Sequence, residues 1–79
     1  MNIISGIRSY ISDSDLKIVV LNNKINIVNY IDIPHFDSNT IVVTAPNQEI
    51  FIKGKNLVVS KLMSDEVLIT GDFNVIEFR

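Results

Sequence analysis

The sequence predicts an all-β fold: a small antiparallel sandwich of about seven short strands, by the usual count for such folds, preceded by a short helix. Three observations predict it. First, one pattern recurs, an apolar–any–apolar strand closed by Gly or Asn: Lys24-Ile25-Asn26-Ile27-Val28-Asn29, Glu49-Ile50-Phe51-Ile52-Lys53-Gly54 and Glu66-Val67-Leu68-Ile69-Thr70-Gly71. Gly, and less readily Asn, adopts the positive φ that a sharp corner after a strand requires. Second, β-branched and aromatic residues dominate from Leu16 onward, with period-two alternation. Third, no helical periodicity follows the first fifteen residues.

The elements follow in order. Between Met1 and Asp15, Ile3, Ile4, Ile7, Tyr10 and Ile11 recur at helical spacing. Gly6 and several serines weaken that helix, and Asp13-Ser14-Asp15 ends it. Residues 1–15 thus read as a short amphipathic segment, and 16–79 as the all-β domain. The segment is expected to pack its Ile face on the domain. A membrane-surface helix normally carries several basic residues, and this one has only Arg8.

Strands are expected at Lys17–Leu21, Lys24–Tyr30, Thr40–Thr44, Gln48–Lys53, Leu57–Leu62, Glu66–Thr70 and Phe73–Phe78. Asn22-Asn23 suits a two-residue hairpin turn, because Asn tolerates left-handed backbone. Ala45-Pro46-Asn47-Gln48 suits a type I or type II turn. Gly54-Lys55-Asn56, Met63-Ser64-Asp65 and Gly71-Asp72 are expected to close the remaining hairpins, with Gly54 and Gly71 at positive φ or at corners closed to a Cβ. Asp32 to Asn39 contains Pro34, which cannot donate to a sheet ladder, so this stretch reads as a connection or a sheet edge.

Alternation aligns Ile25 and Ile27 with Ile50 and Ile52 and with Val67 and Ile69 as the inward face. Phe51 and Leu68 then fall on the opposite face. The scattered aromatics Tyr10, Tyr30, Phe36, Phe51, Phe73 and Phe78 are expected to supply core rather than a stacking platform. Apolar surface on the Phe51/Leu68 face, together with unpaired strand edges, predicts a protein partner or a homo-oligomer formed through an edge strand or that face.

Composition narrows the function classes. The chain has 79 residues, room for one small domain. Its 47% hydrophobic and 20% charged content excludes disorder. Cysteine is absent, which removes disulfides and Cys-based zinc sites and agrees with a reducing cytoplasm. Neither a secretory signal nor an apolar run of about 20 residues is present, so no direct transmembrane segment is expected. Lys53, Lys55 and Lys61 are flanked by Glu49, Asp65 and Glu66 within a net charge of −2, so no nucleic-acid partner is expected.

No chemistry-bearing constellation stands out. His35, the sole histidine, lies near Asp32 and Asp37, but that spacing matches no zinc or calcium loop and reads as a solvated turn. No Ser occupies a strand–turn–helix elbow. Gly54 and Gly71 precede no helix and form no phosphate loop. The expectation is therefore a non-enzyme with no catalytic, cofactor-binding or metal-binding residue.

Residues 17–79 resemble the YabP/YqfC family of small bacterial sporulation proteins. The matching run is Leu21-Asn22-Asn23, Ile25-Asn26-Ile27-Val28-Asn29-Tyr30, Ile41-Val42-Val43-Thr44, Ile50-Phe51-Ile52-Lys53-Gly54-Lys55-Asn56-Leu57-Val58-Val59, Val67-Leu68-Ile69-Thr70-Gly71 and Val75-Ile76-Glu77-Phe78. Ile7, Tyr10 and Asn29 (where the YabP branch favours Gly) place it closer to the YqfC branch. Asn47-Gln48 departs from relatives that often carry Gly there. The resemblance implies a non-enzymatic structural or interaction protein of endospore formation in the mother cell. It also implies a membrane-anchored partner of the YqfD type, which would hold a cytoplasmic protein peripheral to a membrane. The rival expectation is a small β module that binds a ligand or a cell-wall or spore-coat polymer.

Overall fold

The computed structural model describes residues 15–79, and the predicted N-terminal helix lies outside them. Six strands follow in chain order: β1 (Lys17–Val20), β2 (Lys24–Val28), β3 (Asp32–Phe36), β4 (Thr40–Ala45), β5 (Gln48–Leu62) and β6 (Glu66–Phe78). All pairings are antiparallel, in one sheet of order β1-β2-β6-β5-β4-β3. The all-β antiparallel class is as the alternation predicts, and the two layers belong to one continuous sheet.

Gly54-Lys55-Asn56 and Gly71-Asp72 do not close hairpins, contrary to expectation. Each lies inside a long strand, so the expected pairs Gln48–Lys53 with Leu57–Leu62, and Glu66–Thr70 with Phe73–Phe78, merge into β5 and β6. The β5–β6 ladder shifts register between Lys53 and Gly54 and again between Lys55 and Val58. Such bulges bend a strand without breaking its pairing. Asn56 at φ 56° and Gly71 at φ 144° supply the backbone that the bend needs. The β3–β4 loop braces it, with Gly54 N–H donating to Asn39 O at 3.0 Å and Leu57 N–H to Ser38 O at 2.9 Å.

The bend divides the sheet into two halves. One comprises β1, β2, residues 66–70 of β6 and residues 58–62 of β5. The other comprises β3, β4, residues 48–53 of β5 and residues 73–78 of β6. Ile25, Ile27, Val67 and Ile69 from the first half join Ile41, Val43, Ala45, Ile50 and Ile52 from the second, with Leu57 from the bend, in a single buried cluster. The halves therefore face each other across one core. Its eight fully buried large side chains are all Ile or Val, the β-branched residues that pack best on a pleated surface.

The aromatics do not fill that core, which corrects the sequence expectation for the described ones. Tyr30 and Phe73 only pack against it, Phe51 is half-buried on the outer face, and Phe36 and Phe78 are exposed. A core made from the short apolar faces of two half-sheets takes branched aliphatics in register and leaves large rings at the margins.

Of the two readings for Asp32 to Asn39, the sheet edge is realised: β3 holds Pro34 in an edge strand with irregular register between Asp32 and His35. Met63-Ser64-Asp65 closes the β5–β6 hairpin, and Met63 N–H donates to Glu66 O at 2.8 Å. Asn47 at φ 64° selects the type II turn, whose third residue requires positive φ. Asn22-Asn23 does turn the chain from β1 to β2, but neither residue takes the left-handed backbone expected of it. Asn29 takes it instead, at φ 69°, where β2 ends.

Candidate binding surfaces

Among the described residues, the bent sheet leaves two open sides, each between unpaired strand edges. Beyond its pairing with β4, residues 58–62 of β5 form a free edge, and β3 is the edge of the facing half. On the opposite side, β1 and residues 73–78 of β6 stand in the same relation. Each side carries a depression between its two edges.

The larger depression, of about 510 Å³, is lined by Tyr30, Ile31, Asp32, Ile33, Phe36, Val59 and Leu62. Ile31, Phe36 and Leu62 are each more than 60% exposed, although two of them are borne by the free edges. The Tyr30 hydroxyl is engaged, donating to Met63 O at 2.7 Å. Asp32 is the charged residue of the wall, and its Oδ1 accepts from Ile33 N–H at 2.8 Å. The result is an apolar groove without convergent polar groups, a lining suited to apolar side chains of a polypeptide more than to a polar small molecule or a sugar polymer. The smaller depression, about 290 Å³, is lined by Val20, Leu21, Asn22, Phe73, Asn74, Val75 and Ile76. Val20, Leu21 and Val75 are exposed there.

Phe51 and Leu68 do lie on the outer face, as alternation predicts, and both are half-buried. The Arg79 guanidinium stacks 4.0 Å from the Phe51 ring centroid and donates to Glu77 at 2.8 Å. The two residues sit on different halves, with Leu68 paired to Asn26, whose amide donates to Glu66 at 2.8 Å. The broadest apolar exposures are on the open sides, which alternation within single strands could not reveal. Their one sequence signal is the apolar residue at each strand end, such as Leu21, Ile31 and Leu62.

His35 and Asp37 do meet, with Nε2 and Oδ2 2.8 Å apart, whereas the Asp32 carboxylate accepts from the Ile33 N–H. Among the described residues no group of three or more His, Cys, Asp or Glu side chains is placed to hold a metal ion. Asp37 Oδ1 also accepts from Asn39 N–H and Thr40 N–H, both at 2.7 Å, so the cluster shapes the loop that braces the β5 bend. These bonds, Asn39 first, then Thr40, then His35, hold the Asp37 carboxyl below the usual carboxylate range. A depressed folded-state pKa adds stability above the unfolded value of 3.8, and that stability is lost as pH falls through the lower folded value. The melting temperature of Asp37→Ala is accordingly expected to lie below wild type at pH 6, with the gap narrowing below pH about 4. An equal gap at both pH values in thermal melts would remove the carboxylate from this role.

No helix among the described residues is long and apolar enough to cross a membrane. A model of the YabP family matches residues 12–79 of the chain. No curated protein and no solved structure matches it.

Proposed function

We propose, from the premise that the chain belongs to the YabP family, that it is a non-enzymatic interaction protein of endospore formation. In this reading it acts in the mother-cell cytoplasm and is held beside a membrane by an anchored partner of the YqfD type. The observation that carries the interaction reading is the apolar open side between β1 and the end of β6, where Val20, Leu21 and Val75 are exposed around a shallow depression. Among the described residues nothing pairs with the outer edge of β1, which has neither a Pro nor a bulge to blunt it, whereas β3 has both. A partner strand can therefore extend the sheet at β1 while its side chains cover the depression.

Within the family we propose the YqfC branch, a reading that Asn29 supports. Its left-handed backbone admits Gly or Asn, and the Asn side chain adds a bond to Asp15 O at 2.7 Å that Gly cannot make.

The test is co-purification from cells expressing a YqfD-type membrane protein with wild type, Val20→Asp or Val75→Asp. Retention of the wild type and at least about tenfold weaker retention of the variants, the loss expected for a charge buried in an apolar contact, is the expected result. Equal retention would exclude this side as the interface, and no retention of the wild type would remove the partner. Sedimentation with cell-wall or spore-coat polymer instead would favour the polymer-binding alternative.

A further inference from the structure

The two edges of the larger groove are apolar, yet neither invites another strand. β3 carries Pro34 and an irregular register, and the end of β5 shifts register between Val59 and Lys61. Such irregularities turn an edge away from ladder extension. A partner that covers the exposed Ile31, Phe36 and Leu62 therefore packs through side chains rather than as an added strand. The edges also carry opposite charges. Asp32 is the charged residue of the wall on β3, and Lys61 sits on the β5 edge beside Leu62, both of them exposed. Among the described residues Lys61 makes no ion pair or side-chain hydrogen bond, and the Asp32 carboxylate accepts through Oδ1 from the Ile33 N–H. The Tyr30 hydroxyl, donating to Met63 O, ties the start of β3 to the end of β5. Asp32 and Lys61 thus stand at the same end of the groove.

We propose that the occupant of this groove is a second copy of this chain, docked face to face about a two-fold axis that runs along the groove. That rotation exchanges the two edges, so β3 of each copy lies against the end of β5 of the other. In such an isologous contact every pairing occurs twice. Asp32 of each copy meets Lys61 of the other, and the two ion pairs flank a shared layer of Ile31, Phe36 and Leu62. The charge arrangement selects this occupant. Edges of one sign would repel their own copy, whereas opposite signs at one level attract it and fix its orientation. Joining the two apolar walls also removes from water a surface that a domain of this size has little other chain to cover. The dimer leaves the β1 side open, so this inference is independent of the partner proposed there.

Sedimentation velocity of the full chain over a dilution series is the test. The wild type is expected to be a dimer that dissociates on dilution. Asp32→Lys or Lys61→Asp sets like charges against each other at both contacts and is expected to raise the dimer Kd at least about tenfold. An equimolar mixture of the two variants restores opposite charges at both contacts. It is expected to form a heterodimer with a Kd within about threefold of wild type, as is the double variant with itself. Val20→Asp, on the opposite side, is expected to leave the dimer intact. Circular dichroism melts of each variant check that the fold is kept, and if Asp32→Lys does not fold, Lys61→Asp against Val20→Asp decides. A monomeric wild type would assign the groove to another occupant and overturn the proposal. A dimer insensitive to both reversals, or lost in Val20→Asp instead, would place the contact elsewhere and overturn it. Failure of the mixture to recover would overturn the pairing of Asp32 with Lys61 and the two-fold contact with it.

Discussion

Gly54→Ala is expected to destabilise the domain by about 3 kcal/mol or more, the upper end of what overpacking typically costs. A Cβ at Gly54 would collide with the Asp72 carbonyl oxygen and crowd the Phe73 Cα at 3.1 Å, and both are backbone atoms of the paired strand. Neither can yield without parting β5 from β6 where the ladder bends. Gly71 carries a different constraint. Its φ of 144° is strained for any side chain, and a Cβ there would approach Asn56 O at 2.7 Å. The two sites thus lock the same bend from opposite strands, Gly54 through close approach and Gly71 through close approach plus backbone conformation. Urea denaturation followed by circular dichroism measures the effect. A Gly54→Ala midpoint equal to wild type would mean that the strands do not approach this closely.

Ile69→Ala is expected to cost about 2–5 kcal/mol, the range for truncating a buried Ile or Leu. Ile69 is fully buried and stands opposite Ile25 on one side and Val59 on the other. It also belongs to the cluster that holds the two half-sheets together. A chain of this length has on the order of 4–12 kcal/mol of stability in total, so the loss consumes a large share of it. Val75→Ala, at an exposed position on the open side, is expected to remain within about 0.5 kcal/mol of wild type. Comparable losses in the two variants would contradict the assignment of Ile69 to a shared core.

The inward face was readable because the side-chain period of a strand is two and every apolar pair at i and i+2 reports it. Ile25/Ile27, Ile50/Ile52 and Val67/Ile69 all lie where alternation places them. What alternation cannot report is whether a Gly ends a strand or bends it. Gly54 and Gly71 have the same local signature in either case, and the outcome depends on whether the partner strand carries a matching irregularity. Both strands of the β5–β6 pair do, so the ladder runs through. β3 was only half legible for a related reason, since Pro34 removes a donor but leaves the other side of the strand free to pair with β4. The grooves were not legible. They arise where a strand from one half faces a strand from the other, and no local pattern encodes that juxtaposition.

The strand order has a consequence for how quickly the domain assembles. Four of the five pairings join strands that are neighbours in sequence, β1–β2, β3–β4, β4–β5 and β5–β6, and each needs only a short loop to close. The fifth, between β2 and β6, brings Lys24 opposite Thr70 and Val28 opposite Glu66 across about half of the chain. Loop-closure entropy must be met there before any contact rewards it. The local hairpins can form early and independently, whereas the search for β2 by β6 sets the barrier.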